Sequence, residues 1–330
     1  MSPAQVRLSA HHESWPIDGS FTISRASKTT ADVIVVEATR GQHRGRGECV
    51  PYPRYHESVA GVLASIEQLQ TALGEDLDRQ RLQQAMPAGA ARNAVDCALW
   101  DLEAKESGQA VWQLAGLPPP QRLTTAYTIS LDSAETMGRA ALQHRHRPLL
   151  KLKLTGEGDL ERVTAIRKSA PAAALIADAN EGWSVEQLES IGPRLAELGV
   201  ALIEQPLPAG ADTALESCQH PLPICADESC HTAADVPTLA SRYDVVNIKL
   251  DKTGGLTEAL ALQARACSCG LGIMIGCMVS TSLSMAPAFL LASDAEFVDL
   301  DGPLLLQRDR DDGLQYEESF ILPPTPQLWG

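Results

Sequence analysis

The chain has 330 residues, 44% of them hydrophobic and 21% charged, a composition ordinary for a globular protein with one large or two moderate domains. Its net charge of −15 argues against nucleic acid and anionic membrane surfaces as partners, because both repel a strongly acidic protein. No apolar run approaches membrane-spanning length, and Met1–Trp15 lacks the apolar core of a secretory signal.

The first 50 residues predict a small antiparallel sheet. Phe21–Ile23 and Val33–Val36 are β-branched runs, and Gly45–Cys49 closes the unit with turn residues. Arg25 lies in the connection between the first two runs. Helical stretches follow, and the clearest covers about 90–106, where apolar residues recur at helical spacing.

Beyond the proline-rich stretch Leu117–Pro120, short apolar strands alternate with helix-like stretches. This alternation predicts right-handed parallel crossovers, and eight such units make a (β/α)₈ barrel. A doubly wound open sheet is the alternative, but no glycine-rich phosphate loop follows the early strands. The predicted strands lie near residues 124–130, 149–154, 174–178, 201–204, 222–227, 245–249, 272–277 and 296–301.

We therefore expect an α/β protein with two domains. An α+β capping domain covers residues 1–120 and is completed by the C-terminal tail, residues 303–330, which we expect to return over the N-terminal sheet. A (β/α)₈-type barrel covers residues 121–302 and carries the active site.

The second barrel strand carries two lysines on one face. Lys151 and Lys153 alternate with leucines, so both ammonium groups point to the same side of the strand. Two ammonium groups resist burial in an apolar core, and an edge strand with solvated lysines is the alternative interpretation. At the carboxyl end of a barrel strand, by contrast, the pair would lie where active sites are built.

Three successive strands end in a carboxylate: Asp178, Glu204 and Asp227. Any one of them could be a helix N-cap or a solvated loop residue. In a barrel, however, all three face one mouth, where they repel one another unless a cation lies between them. Oxygen ligands of this kind suit Mg²⁺ or Mn²⁺ better than zinc.

The sixth strand ends in Lys249, which adds a third lysine to the mouth. Lysines close to a divalent cation and to each other should have a lowered pKa, which makes a neutral amine available as a base. A cation flanked by two opposed lysines suits removal of a proton next to a carboxylate, because the cation stabilises the enediolate that forms. One lysine would take the proton from one face, and the other would return a proton to the opposite face.

The chain resembles the muconate-lactonizing subgroup of the enolase superfamily and, more narrowly, the L-Ala-D/L-Glu dipeptide epimerases. The motifs that carry the resemblance are Lys151-x-Lys153, Asp178-Ala-Asn180, Glu204-Gln-Pro206, Asp227-Glu-Ser229 and Lys249-x-Asp251-Lys-Thr-Gly-Gly255.

The resemblance implies a role for each of these residues. Asp178, Glu204 and Asp227 would bind Mg²⁺. Lys153 would be the base for the (R)-substrate and Lys249 the base for the (S)-substrate. Lys151 would contact the substrate carboxylate and help to lower the pKa of Lys153.

The resemblance also implies the substrate contacts. Asp299 and Asp301 match an Asp-x-Asp that binds the free α-ammonium of a dipeptide, and a solvated loop is the alternative. Arg25 would hold the γ-carboxylate of Glu bidentately, unless it is a surface arginine. Thr128 and Cys277 match substrate-contacting positions, with buried packing as the alternative.

We therefore expect Mg²⁺-dependent epimerisation, by two lysine bases, at the Glu α-carbon of L-Ala-D-Glu and L-Ala-L-Glu, with a family role in murein peptide recycling. The alternatives are N-acylamino acid racemase, o-succinylbenzoate synthase and muconate cycloisomerase, whose substrates offer no ammonium to Asp299 and Asp301. A non-catalytic binding protein on the same fold is a rival from another class.

The expected partner is a small acidic dipeptide, and the sequence leaves the oligomeric state open. Eight cysteines without paired C-x-x-C spacing predict free thiols and a cytoplasmic location.

Overall fold

The structure, a computed structural model, describes residues 5–330 apart from the side chain of Glu75. It opens with a three-stranded antiparallel sheet: β1 (Arg7–Ile23), β2 (Ala26–Arg40) and β3 (His43–Cys49). Strand β1 begins well before the predicted run at Phe21, because side chains early in the strand pack on the cap core. Its pairing with β2 is interrupted by a register shift between Pro16 and Phe21.

Four helices follow the sheet: α1 (Val59–Leu73), α2 (Arg79–Ala85), α3 (Ala90–Ser107) and α4 (Val111–Leu114). Helix α3 confirms the predicted helix and is buried along most of its length, with β3 packed against it. Gly47 makes this close packing possible, since a Cβ there would lie only 2.1 Å from the carbonyl oxygen of Ala94. We call residues 5–116 the cap.

The rest of the chain alternates strands with helices, as the sequence predicts. The strands are β4 (Leu123–Thr124), β5 (Tyr127–Ile129), β6 (Leu149–Lys153), β7 (Ala174–Asp178), β8 (Val200–Glu204), β9 (Ile224–Ala226), β10 (Val245–Ile248), β11 (Gly272–Ile275), β12 (Phe297–Val298), β13 (Tyr316–Glu317) and β14 (Phe320–Ile321). The helices are α5 (Ala134–Gln143), α6 (Asp159–Ser169), α7 (Val185–Glu197), α8 (Val236–Leu239), α9 (Leu250–Thr253), α10 (Leu256–Ser268) and α11 (Ser282–Phe289).

Strands β5 to β12 form one parallel sheet of eight strands in sequential order, which confirms the barrel-type fold. The sheet curls until its edges meet, and the amide of Ala126 donates to the carbonyl of Val298 at 2.8 Å. Strand alternation places an apolar layer inside the curled sheet, below the strand ends: Ile176, Leu202, Cys225, Val245 and Met274. The opposite faces of the strands pack against the surrounding helices.

The C-terminal tail contacts both parts of the chain. Strand β14 pairs with β4 beside the barrel, and the amide of Gln307 donates to the carbonyl of Pro16 in β1 at 2.9 Å. The last residues also reach the cap, where buried Trp329 donates from Nε1 to the carbonyl of Cys97 at 3.0 Å. Arg46 of β3 holds this end through the carbonyls of Gln327 and Leu328. The domain division at residue 120 stays a prediction.

Among residues 5–330, no helix has both the length and the apolar character that crossing a membrane requires.

The tail contact generates a stability prediction. Trp329→Ala should lower the free energy of unfolding by about 3–5 kcal/mol, because it removes a fully buried aromatic side chain. Urea denaturation followed by circular dichroism measures the change. Leu142→Ala, at an exposed position of α5, is the control and should change the free energy by less than about 0.5 kcal/mol. Equal effects of the two substitutions would contradict the account of the tail.

Candidate active site

The carboxyl ends of the barrel strands bring the predicted lysines and carboxylates into one buried cluster. The strand register accounts for part of it, since Lys153 pairs with Asp178 and Asp178 pairs with Glu204 across neighbouring strands. These three side chains therefore lie at one level of the sheet. Asp227, just after β9, and Lys249, just after β10, continue the cluster, and both are buried.

Lys151 is deeply buried, with 1% of its surface exposed. Its Nζ lies 2.7 Å from Glu204 Oε2 and 3.3 Å from Asp178 Oδ2. It also lies 2.9 Å from Asp299 Oδ2. Lys153 pairs with the same Asp178 oxygen at 2.5 Å. The edge-strand alternative is therefore wrong, because both lysines are buried and paired with carboxylates.

In this arrangement the neighbouring carboxylates raise the pKa of Lys151 and Lys249. Burial is the largest influence on Lys151 and lowers its pKa, but Asp299 and Glu204 outweigh burial, so the pKa is well above its ordinary value. For Lys249, burial again lowers the pKa and Asp227 reverses the shift. The expectation assumed a cation among the carboxylates, whereas each carboxylate here is paired with an ammonium group. A cation bound to the carboxylates would weaken these pairs and lower the lysine pKa.

Two further buried residues complete the cluster and were not among the predicted site residues. Lys252 donates to Asp227 Oδ1 at 2.6 Å and to the carbonyl of Asn247 at 3.0 Å. Asn247 donates from Nδ2 to Glu204 Oε1 at 2.8 Å. Strand alternation could have revealed Asn247, which shares a strand face with Lys249. Lys252 lies in the short helix α9, where strand alternation gives no signal.

The oxygen atoms of the cluster are of the kind that a metal ion binds. Among the described residues, no three His, Cys, Asp or Glu side chains converge closely enough to hold a metal as they stand, because the ammonium groups hold the carboxylates apart. The chemistry nevertheless fits a hard cation. Within residues 5–330, the buried oxygens that accept no hydrogen bond include Asn180 Oδ1 and Asn247 Oδ1 at the strand ends, and Glu204 Oε2 is engaged only by its ion pair with Lys151. Carboxylate and amide oxygens are the ligands that Mg²⁺ and Ca²⁺ prefer.

A cavity of about 380 Å³ opens above the cluster, between the cap and the strand ends. This volume suits a small ligand. All the predicted site residues line it except Lys151, Asp178 and Glu204, which lie deeper: the lining includes Arg25, Thr128, Lys153, Asp227, Lys249, Cys277, Asp299 and Asp301. The cap supplies Phe21, Tyr52 and Tyr55 to the same cavity.

Asp299 and Asp301 are buried, so the solvated-loop alternative is wrong. The backbone amide of Thr128 donates to Asp301 Oδ2 at 2.6 Å, which fixes that carboxylate beside β5. Burial and then Asp299 raise the pKa of Asp301 to about 7. Two adjacent buried carboxylates of this kind favour a cationic ligand such as an ammonium group. Cys277 lies beside the pair, and burial raises the pKa of its thiol well above the ordinary value.

Arg25 occupies the turn between β1 and β2 and reaches from the cap to the barrel mouth. Its Nη1 donates to the carbonyl of Asn180 at 2.8 Å and to Glu181 Oε2 at 2.6 Å. Its Nη2 donates to Glu228 Oε1 at 2.6 Å. Arg25 is therefore not a free surface arginine, and neither acidic partner was predicted from the sequence.

Family models match both parts of the chain. Residues 133–326 match the enolase C-terminal domain-like family. Residues 5–116 match the N-terminal domain of the mandelate racemase/muconate lactonizing enzyme family. The chain belongs to the enolase superfamily.

Individual enolase-superfamily relatives extend this result. The L-Ala-D/L-Glu epimerase of Escherichia coli is 48% identical over 92% of this chain and 95% of the relative. The N-acetyl-D-glutamate racemase of a Pseudoalteromonas species is 46% identical over 90% of this chain and 95% of the relative. A crystal structure from Agrobacterium tumefaciens has a TM-score of 0.94 and 53% identity, and it covers 98% of this chain and 100% of that one. It is an enolase family member with homology to dipeptide epimerases, and it holds sodium and L-Ala-L-Glu.

The cluster predicts pH-dependent metal binding. Burial and then Asp178 raise the pKa of Glu204 to about 7, so below that pH Glu204 is protonated and must release its proton before it binds a cation. Isothermal titration calorimetry should therefore show Mg²⁺ bound about tenfold more weakly at pH 6 than at pH 8. Glu204→Gln is the control and should bind weakly at both pH values. Equal wild-type affinity at the two values would contradict this account of Glu204.

Proposed function

We propose that this protein is a Mg²⁺-dependent dipeptide epimerase that inverts the Glu α-carbon of L-Ala-D-Glu and L-Ala-L-Glu. One observation carries the proposal: Lys153 and Lys249 line the same cavity from opposite sides of the barrel. Lys153 ends β6 and Lys249 follows β10, and these strands are four places apart in the eight-stranded curled sheet. A substrate α-carbon between them presents one face to each lysine Nζ, of which the neutral amine acts as the base and the ammonium as the proton donor.

The two lysines would divide the proton transfers. Lys249 removes the α-proton from the (S)-configured Glu residue, and Lys153 delivers a proton to the other face; the roles exchange for the (R)-substrate. Mg²⁺, held by Asp178, Glu204 and Asp227, would supply positive charge that stabilises the enediolate, as superfamily sites with a lysine base do. Lys151, buried between these ligands and Asp299, would hold the substrate carboxylate beside them.

The remaining cavity residues would bind the two ends of the dipeptide. Arg25 binds the γ-carboxylate of Glu, because a guanidinium matches a carboxylate in shape and charge. Asp299 and Asp301 bind the α-ammonium of the first residue. Thr128 and Cys277 line the cavity beside this pair. A small acidic dipeptide thus offers a group of opposite charge to Arg25 and to the Asp299–Asp301 pair.

Racemisation of an N-acylated glutamate is the second candidate, since one close relative is an N-acetyl-D-glutamate racemase. An N-acetyl substrate carries the same Glu residue but no ammonium group. It would leave the buried carboxylate of Asp301, which pairs with no cationic side chain among the described residues, facing a methyl group, which is unfavourable because buried charge needs a partner. The Asp pair therefore favours the dipeptide.

We also propose a cytoplasmic location and a role in recycling murein peptides. The support for the location is chemical, because all eight cysteines are free thiols, as is usual in a reducing compartment.

The two-base mechanism predicts opposite defects in two variants. In D₂O, Lys153→Ala should still exchange the α-proton of L-Ala-L-Glu through Lys249 but not that of L-Ala-D-Glu. Lys249→Ala should show the reverse preference. Both should lower epimerisation by at least about 10³-fold, because one proton-transfer partner is lost. Proton NMR follows exchange and epimerisation in the same sample.

Lys168→Ala is the matched control, since Lys168 is exposed on α6 and should leave both rates unchanged. Full epimerisation of both diastereomers by Lys153→Ala would contradict the two-base assignment.

A further inference from the structure

The segment after β7 carries an acidic residue that joins the cap to the barrel mouth. Glu181 follows Asp178 by three positions and has 8% of its side chain exposed. Both Asn180 and Glu181 adopt the left-handed backbone region, with φ values of 47° and 66°. Residues other than glycine rarely adopt this conformation, and such strain occurs where surrounding contacts impose it, often at functional sites.

Four hydrogen bonds account for the placement of the Glu181 carboxylate. Oε2 accepts from Arg25 Nη1 at 2.6 Å and from Arg54 Nε at 3.1 Å. Oε1 accepts from Arg54 Nη2 at 2.8 Å and from the backbone amide of Ala209 at 2.8 Å. The Glu181 carboxylate therefore links the two cap segments that carry Arg25 and Arg54 to its own barrel loop and to the loop that carries Ala209. Burial raises the pKa of Glu181, but Arg54, Ala209 and Arg25 outweigh burial and lower it, so the carboxylate stays ionised.

These contacts also decide which part of Arg25 remains available to a ligand. Nη1 donates to Glu181 and to the carbonyl of Asn180, which uses both of its N–H groups. Nη2 uses one N–H on Glu228. Within residues 5–330, Nε and the second N–H of Nη2 donate to no other residue, and Arg25 lines the cavity. Glu181 therefore holds one side of the guanidinium and leaves donors on the other side for a carboxylate.

Arg54 fixes the orientation of Glu181. Its paired donation from Nε and Nη2 engages both carboxylate oxygens, a geometry that lysine cannot reproduce. Arg54 lies in the loop between β3 and α1, whereas Arg25 lies in the turn between β1 and β2. Docking of both cap segments on Glu181 thus assembles the basic end of the cavity.

We propose that Glu181 is a positioning residue that selects acidic dipeptides by holding Arg25 in its recognition geometry. This inference rests on the proposed function, because it assigns Arg25 to the γ-carboxylate of the substrate. Glu181 is not among the residues that line the cavity, so we expect its effect on selectivity rather than on proton transfer.

The test compares L-Ala-L-Glu with its neutral isostere L-Ala-L-Gln. Glu181→Gln keeps the shape of the side chain but removes the charge that holds Arg25. It should lower kcat/KM for L-Ala-L-Glu about tenfold, mainly through KM, because a charge-assisted contact loses its orientation. For L-Ala-L-Gln the change should stay within about twofold, since a neutral side chain depends less on Arg25. If the isostere turns over too slowly, its inhibition constant gives the same comparison.

Two further variants sharpen the test. Arg54→Lys should shift the selectivity in the same direction by a smaller factor, because it loses the paired donation to Glu181. Glu135→Gln alters an exposed ion pair with Arg139 on α5, and it should leave kcat/KM unchanged for both substrates. Unchanged selectivity in Glu181→Gln, or an equal loss on both substrates, would overturn the inference. Absence of α-proton exchange in the wild-type protein would instead contradict the proposed function itself, whatever the role of Glu181.

Discussion

The burial of lysines beside carboxylates is the constraint on which the rest of the structure depends. Lys151, Lys153, Lys249 and Lys252 are each no more than 7% exposed. A buried ammonium group without a partner is very costly, so each lysine requires an acidic oxygen within reach. The parallel register of β6, β7 and β8 supplies such oxygens at one level, and the apolar layer below keeps water from the cluster. The barrel is therefore what makes this concentration of charge possible.

The cap and the barrel divide the chemistry between them. The barrel carries the buried lysines and carboxylates, whereas the cap supplies Arg25 and the aromatic side chains above them. Buried polar links hold the two parts in place: Glu48 of β3 accepts from the Thr281 amide at 2.9 Å and pairs with Arg310 of the tail at 2.6 Å. Substitutions in the cap loops can therefore alter substrate selectivity without displacing the proton-transfer lysines of the barrel.

Much of this site could be predicted from the sequence, because strands impose a period of two and barrels gather strand ends. Those two rules place Lys153, Asp178 and Glu204 together. They say nothing about Glu181 and Glu228, whose contacts with Arg25 depend on how the cap docks on the barrel. The lysine pKa also depends on which charges lie closest, and distances across a barrel cannot be read from spacing along the chain.

The most direct test of the central claim is proton NMR of the wild-type protein in D₂O with Mg²⁺. L-Ala-L-Glu and N-acetyl-L-glutamate would be followed in parallel, with EDTA as the metal-free control. With Mg²⁺ present, we expect loss of the Glu α-proton signal of the dipeptide and growth of L-Ala-D-Glu resonances. In the sample with EDTA, we expect neither of these changes. Retention of the dipeptide α-proton with Mg²⁺ present, or exchange confined to N-acetyl-L-glutamate, would contradict it.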